Sequence, residues 1–177
     1  TQATAERFGV RVRLSEEDGS IERVLYPYYD VDGNTTGYKV RILPKEFLIV
    51  GKVKSLFGKQ SCKPGARLLV LTEGEDDAMA AWHMLNDAGR NYNVCSIPNG
   101  ASAEGVVDPV VLSEIEFITS HEIIVLALDN DAPGQATART LAEVLSSSVK
   151  RIKILKMPRK DAGQMLIDGM GSSFEKL

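Results

Sequence analysis

The chain has 177 residues, 44% of them hydrophobic, and a formal net charge of −3 at pH 7. This size and composition indicate a globular protein with one α/β core and room for a small additional subdomain. No apolar stretch approaches the roughly 20 residues that span a bilayer, so no membrane partner is expected. Only Cys62 and Cys95 occur, and neither has a Cys or His at zinc-finger spacing, which excludes a zinc module within these residues.

The first part of the chain, residues 8 to 50, has the pattern of a small β-rich unit. Apolar residues alternate over 10–14, an aromatic and β-prone run covers 24–29, and another β-prone run covers 37–42. An Asp-Gly-Asn turn sequence separates the last two runs. The pattern predicts a hairpin or a three-stranded sheet.

The segment from Lys39 to Arg67 is strongly basic. It holds eight Lys or Arg residues and one acidic residue, Glu46, which gives a local charge of +7. A solvated surface is the usual meaning of such a run, but a neighbouring carboxylate site favours binding to the phosphates of a nucleic acid or nucleotide. The candidates for phosphate binding are Lys39, Arg41, Lys52, Lys54 and Lys59.

From Leu68 onward, strand and helix patterns alternate. Strands are predicted at 68–72, about 93–97, 122–129 and 151–156, and helices at about 75–88, 104–119 and 134–146, with a short helix from Asp161. Such alternation predicts a mostly parallel sheet flanked by helices. The predicted fold class is therefore α/β, preceded by a small, basic, β-rich N-terminal subdomain.

Two acidic segments, 72–77 (TEGEDD) and 129–134 (DNDAPG), each follow a predicted apolar strand. In open α/β sheets, ligands bind at the edge where the strands end. Carboxylates a few ångströms apart repel by on the order of 4 kcal/mol at an effective dielectric constant near 20, so a fold tolerates such a cluster when cations bind there. The two segments predict a site for a hard divalent cation, with Mg²⁺ as the first choice.

The individual carboxylates differ in how strongly they indicate a metal. Acidic residues at a helix start also cap free N–H groups, and for Glu75, Asp76 and Asp77 capping is at least as good an interpretation. Asp129 and Asp131 are two residues apart at a strand end, so both can face one ion. Glu73, at the end of the other strand, completes this group.

The loop after the second predicted strand, Pro98-Asn99-Gly100, lies at the same predicted sheet edge. Asn-Gly is a common turn sequence, which explains the loop without a ligand. The backbone N–H groups of such a loop can also bind a phosphate. Asn99 and Gly100 are therefore candidate substrate contacts.

Glu73-Gly74 after one strand and Asp129-x-Asp131-x-x-Gly134 after a later strand resemble the Toprim domain of primases, topoisomerases and some nucleases. The resemblance spans about residues 67 to 162. It implies a further site residue, Asp161, because primases carry another carboxylate near the metals at this point. The alternative for Asp161 is an ordinary helix N-cap.

Within the Toprim proteins, the segments SLFGK (55–59), TEGExD (72–77) and NGAS (99–102) resemble phage-type primase-helicases. The resemblance implies an RNA polymerase core with a basic N-terminal subdomain at 1–66 and a Toprim catalytic domain at 67–177. It also implies a zinc-binding domain and a hexameric helicase as partners in a full-length protein. The expected location is the cytoplasm of a phage-infected bacterium, with a mitochondrial or plastid homologue as the alternative.

The function implied is that of a DNA primase, which joins ribonucleoside triphosphates into short primers on single-stranded DNA with two Mg²⁺ or Mn²⁺ ions. Asp129 and Asp131 are expected as principal ligands and Glu73 as a ligand or the general base. Supporting carboxylates are expected at Glu75, Asp77 and Asp161. The alternatives are a Toprim-type metal-dependent nuclease and a non-catalytic DNA-binding module of a replicative helicase.

Overall fold

The structure is a computed structural model that describes residues 1–44, 46–102 and 104–176. A short helix, α1 (Gln2–Phe8), leads into a four-stranded antiparallel sheet. The strands follow one another in space as they do in sequence, and they are β1 (Arg11–Leu14), β2 (Ile21–Tyr29), β3 (Thr35–Ile42) and β4 (Glu46–Gly51). This sheet is the β-rich unit that the sequence predicts.

A four-stranded parallel sheet follows, in the spatial order β6-β5-β7-β8. Its strands are β5 (Leu68–Thr72), β6 (Asn93–Ser96), β7 (Ile123–Ala127) and β8 (Arg151–Ile154). The helices are α2 (Glu75–Asp87), α3 (Pro109–Ser113), α4 (Ile115–Thr119), α5 (Ala132–Leu145), α6 (Ala162–Ile167) and α7 (Gly171–Phe174). The predicted α/β class, with a mostly parallel sheet and a preceding β-rich unit, is confirmed.

The structure differs from the predicted elements in four places, one of which is α7 (Gly171–Phe174), a helix that the sequence patterns did not indicate. The N-terminal sheet has four strands rather than three, because Phe47-Leu48-Ile49-Val50 pairs with β3. The chain begins with α1, which the sequence patterns did not indicate. The helix predicted at 104–119 is two short helices: α3 starts only at Pro109, since the residue before a proline is disfavoured in a helix, and the chain bends at Glu114.

An aromatic cluster joins the antiparallel sheet to α2. The rings of Phe8 and Phe57 stack at a centroid distance of 5.3 Å, and Tyr26 meets Phe57 edge-on at 5.8 Å. These side chains belong to the same buried core as Ala78 and Ala81 of α2. The antiparallel sheet is therefore packed against the helix that follows the first acidic segment. In the described part of the chain, no helix is both long and apolar enough to cross a membrane.

Candidate active site

A cleft of about 400 Å³ opens between the carboxyl ends of the parallel strands and the antiparallel sheet. β5 lies between β6 and β7 in the sheet. The next strand in sequence, β6, is on one side of β5, and the later strands β7 and β8 are on the other, so the strand order reverses at β5. Ligands of open α/β sheets bind in the crevice at such a reversal. The residues that line the cleft are Tyr26, Lys39, Phe47, Glu73, Gly74, Glu75, Asp76, Asp77, Asn99, Gly100, Asp129 and Lys160.

Glu73 connects the two loops at the floor of the cleft. Its Oε1 accepts a hydrogen bond from the Ala101 backbone N–H at 3.1 Å, and its Oε2 accepts one from the Asp129 N–H at 3.2 Å. Partial burial, with the nearby charges of Asp129 and Asp131, raises the pKa of the Glu73 carboxyl above its usual value. Glu73 therefore lies where the sequence predicts it, and its orientation is fixed by both oxygens.

Asp129 lies two residues beyond the end of β7 and is buried, with 8% of its surface exposed. Its Oδ2 lies 2.9 Å from the Lys160 ammonium, yet burial outweighs this pairing and raises the pKa of the Asp129 carboxyl. Asn130 points away from the cleft, because its amide donates to the Met157 carbonyl at 2.8 Å. The side chains of Asp129 and Asn130 therefore point in different directions at this strand end.

Asp131 and Asp161 are the N-caps of α5 and α6. Asp131 accepts from the Gly134 N–H at 3.0 Å, and Asp161 accepts from the Gln164 N–H at 2.7 Å. Both carboxylates act electrostatically on the site, because each contributes to the raised pKa of Asp129. Each of these two residues therefore caps its helix and also lies close enough to Asp129 to raise the pKa of that carboxyl.

Asp77 reaches across from α2 toward the start of α6. Its Oδ1 accepts a hydrogen bond from the Gly163 N–H at 2.9 Å. Burial is the main reason why the pKa of Asp77 rises to about 7, and the charges of Asp161, Asp129 and Asp76 raise it further. This carboxyl is consequently part of the acidic group rather than a cap of its own helix.

Asp77→Asn should stabilise the metal-free protein at alkaline pH. Because the folded-state pKa is raised from 3.8 to about 7, the folded state holds this proton more tightly, and the free energy of unfolding falls as pH rises from about 4 to 7. The variant removes that loss, so its advantage should be absent near pH 4 and reach up to about 4 kcal/mol at pH 8.

Urea unfolding in EDTA at both pH values measures this difference. Asp87→Asn, an exposed carboxylate at the other end of α2, is the matched control and should show no such gain. If the free energy of unfolding of Asp77→Asn differed from that of the parent protein by the same amount at pH 4 and at pH 8, the raised pKa of Asp77 would be contradicted.

Glu75 and Asp76 hold the two sheets together at the cleft. Glu75 is buried, and its Oε1 accepts from the Tyr28 hydroxyl at 2.6 Å and lies 3.0 Å from the Lys39 ammonium. Asp76 accepts from the Tyr26 hydroxyl at 2.6 Å. Neither caps α2, whose N-cap, Gly74, lacks a side-chain hydrogen bond. The structure therefore places Glu75, a predicted supporting carboxylate, against the antiparallel sheet.

The predicted basic residues separate into three groups. Lys39 lies in the cleft and donates to the Pro98 carbonyl at 3.0 Å, while Arg41 lies 2.5 Å from Asp76. Lys59 instead pairs with Glu114 at 2.5 Å, beside a second cavity of about 610 Å³ that Lys54 also lines. Lys52 is exposed. The cleft thus holds Lys39 directly, and Lys54 and Lys59 face a different cavity.

Asn99 and Gly100 line the cleft as predicted. The Asn99 amide donates to Asp108 at 2.6 Å, which ties the loop to the start of α3. Gly100 has a φ of +72°, a conformation that favours glycine, and this turn brings the Ala101 N–H to Glu73. The Asn-Gly turn therefore supports the carboxylate geometry.

Sequence reasoning missed three residues that line the cleft, Tyr26, Phe47 and Lys160, and one buried residue behind it, Tyr28. The two tyrosines were visible only as β-prone residues, and their partners on α2 are about 50 positions away. Lys160 directly precedes Asp161, and this neighbourhood is the one signal for it in the sequence. Its contact with Asp129 is visible only in the structure.

The donors around the cleft are carboxylate oxygens, which suit a hard divalent cation. Burial and mutual repulsion raise the pKa of Glu73, Asp77 and Asp129, and a bound cation would relieve both effects. Within residues 1–44, 46–102 and 104–176, no three Asp, Glu, His or Cys side chains already form a closed metal site. The chemistry of the donors fits such an ion.

Comparison with known proteins supports a single family. The sequence model of the Toprim-like family matches residues 70–166, more than half of the chain. A curated relative, the primase homolog protein of Arabidopsis thaliana, is 29% identical over 171 residues. The alignment covers 89% of this chain and 48% of the relative, so the chain spans about half the length of the protein it matches.

Solved structures of primases share the whole fold. The primase fragment of the bacteriophage T7 primase-helicase superimposes with a TM-score of 0.83 at 27% identity, covering 99% of this chain and 70% of that one. T7 primase domains bound to an RNA/DNA hybrid and dTTP match with a TM-score of 0.78 at 27% identity, covering 99% and 85%. The Aquifex aeolicus primase, at 15% identity with a TM-score of 0.64 and coverage of 99% and 52%, shows the fold alone.

Proposed function

This chain belongs to the Toprim-like family, and from that premise we propose that it is the RNA polymerase core of a primase. In this proposal it joins ribonucleoside triphosphates into short primers on a single-stranded DNA template. The observation that carries the proposal is the cleft itself, in which Glu73 and Asp129 at two strand ends face Lys39 of the antiparallel sheet. Carboxylates for metal ions and a cation for phosphate thus line one cavity.

Two Mg²⁺ or Mn²⁺ ions are proposed as cofactors, held by Asp129 and Asp131, with Glu73 as a further ligand or as the general base and with Asp77 and Asp161 in support. When bound, such ions lower the pKa of an attacking hydroxyl and neutralise charge on the triphosphate. Glu75 takes no direct part in this proposal, because Tyr28 and Lys39 occupy its Oε1.

The reaction proposed is attack of a primer 3′-hydroxyl on the α-phosphate of the next ribonucleotide, with pyrophosphate leaving. Lys39 has three N–H donors, of which Glu75 and Pro98 take two, so one remains for a phosphate oxygen. Lys160 balances the charge of Asp129 before substrate binds. Glu73 holds the loop at Ala101 and the strand end at Asp129 in fixed positions relative to each other. This keeps the reacting groups close and correctly oriented.

The test is the fate of α-³²P-labelled ribonucleotide mixed with unlabelled single-stranded DNA and Mg²⁺ or Mn²⁺. Labelled oligoribonucleotides that depend on template support the proposal. An end-labelled template that becomes shorter indicates a nuclease instead. Template binding with neither product indicates a non-catalytic binding module. A zinc-binding domain and a hexameric helicase are proposed partners in a longer protein, and adding them in trans tests whether they raise primer yield.

Glu73→Gln should abolish most primer synthesis, by about a hundredfold or more, if this carboxylate serves as the general base. The amide retains the shape and can accept one of the two backbone hydrogen bonds, but its NH2 group would face the other backbone N–H, so the variant should fold with a loss of about 1–3 kcal/mol of stability. Nucleotide binding, measured by equilibrium dialysis with labelled triphosphate, should fall less than activity. Equal loss of binding and activity would make Glu73 a metal ligand, and Glu116→Gln, an exposed residue of α4, is the control.

A further inference from the structure

The outer strand of the antiparallel sheet exposes a strip of apolar side chains. The exposed fractions are 55% for Phe47, 36% for Leu48, 56% for Ile49 and 52% for Val50. This strand, β4, is an edge strand, since it lies at the end of its sheet and pairs only with β3. Folded proteins usually cover or charge such edges, so an apolar exposed strip indicates a binding surface.

One face of this strip combines apolar and cationic side chains. Arg41 lies directly opposite Phe47, and Lys39 lies opposite Ile49, so all four side chains share one face of the sheet. The Lys39 Nζ is 5.5 Å and the Arg41 Cζ is 5.9 Å from the centre of the Phe47 ring. Phe47 also lines the acidic cleft. An exposed ring flanked by two cations therefore stands at the mouth of the candidate active site.

We propose that Phe47 is a stacking platform for a base of the single-stranded DNA template, and that Ile49 supports the neighbouring base. Every base offers an aromatic face, so stacking on a phenyl ring binds a single strand without reading its sequence. Lys39 and Arg41 are paired with Glu75 and Asp76, so the exposed Lys52 farther along the chain is the cation placed to contact the phosphates that connect the stacked bases. This inference rests on the proposed function, since it assigns the entry path of the template.

Two features favour single-stranded DNA over a mononucleotide or a protein as the ligand of this surface. Ile49 lies about 7 Å beyond Phe47 along the strand, so the apolar face is longer than one base requires. The strand continues toward exposed Lys52, within the segment of local charge +7, which complements a polyanion.

The test measures binding of a fluorescein-labelled single-stranded DNA 12-mer by anisotropy across a salt series, without nucleotides or metal. Phe47→Ala should weaken binding by about tenfold and leave the slope against salt unchanged, because stacking releases no counterions. Lys52→Ala should reduce the slope by roughly 0.7. Phe47→Trp should retain affinity. Val50→Ala, equally exposed on the opposite face of the strand, is the matched control and should bind like the parent protein.

An abasic 12-mer completes the test. Removing the bases should weaken binding to the parent protein at least as much as Phe47→Ala does, and should weaken the Phe47→Ala variant much less than it weakens the parent. Equal affinities of Phe47→Ala and Val50→Ala for normal DNA would overturn the inference and leave the strip as a surface for a protein. Primer synthesis is assayed separately: a parent protein that makes no primers but shows this stacking behaviour refutes the proposed function and not the platform.

Discussion

Asp129→Asn should lower primer synthesis by about three orders of magnitude while the chain stays folded. The carboxylate is buried at the end of β7 and shares the cleft with Glu73. Removing its charge removes a principal metal ligand in the proposed mechanism, and metal stabilisation of the transition state amounts to several kcal/mol, of which each 1.36 kcal/mol is a factor of ten in rate.

The same substitution should leave the free energy of unfolding of the metal-free protein near the parent value or slightly above it. The pair with Lys160, whose side chain is 62% exposed, contributes little because solvent screens it. Its loss is offset by relief of the burial and repulsion that raise the pKa of Asp129. Asp168→Asn, which breaks a surface pair with Arg159, is the control for charge removal. Near-normal primer synthesis with normal metal dependence in Asp129→Asn would contradict the assignment.

Gly134→Ala should be the most damaging single-methyl change in the acidic site. A Cβ at residue 134 would lie 2.3 Å from the Asp129 carbonyl oxygen and 3.0 Å from the Asp129 carbonyl carbon and backbone nitrogen. All three are backbone atoms, which cannot rotate away, so the start of α5 must separate from the end of β7. That shift would disturb both the Asp129 carboxylate and the hydrogen bond from its N–H to Glu73.

We therefore expect Gly134→Ala to lose about 1–3 kcal/mol of stability and most of its activity, although every carboxylate is retained. Chemical unfolding and primer synthesis measure the two effects. Gly89→Ala is the control, since a Cβ there has no atom within 4 Å and carries only the cost of its positive φ. If Gly134→Ala were as stable and active as the parent, the close packing of α5 on Asp129 would not be needed for the site.

The sequence was sufficient to predict the parallel sheet and the strand ends that carry Glu73 and Asp129. Leu68–Thr72 and Ile123–Ala127 are short apolar runs bounded by acidic residues and glycine, which is a local pattern. The partners of Glu75 could not be predicted, because Tyr28 and Lys39 come from a different sheet and meet α2 only after the two sheets pack together. For the same reason β4 was missed: its exposed apolar residues have no local pattern of one-sided burial.

The break at Glu114 was also not predicted. Glu114 ends α3 outside the helical conformation and pairs with Lys59, which is 55 positions away in the chain. Long-range ion pairs of this kind leave no periodic signal in a sequence. The division at residues 66 and 67 stays a prediction.

The aromatic cluster between α1 and α2 bears on how the molecule unfolds. Phe8 and Phe57 are fully buried against α2, and Tyr26 and Tyr28 join them while donating to carboxylates of that helix. Separation of the two sheets would expose this aromatic surface and leave two hydroxyl partners without their hydrogen bonds, so both sheets should be lost in one cooperative transition. A fragment of this protein that keeps the candidate active site folded must therefore contain both sheets.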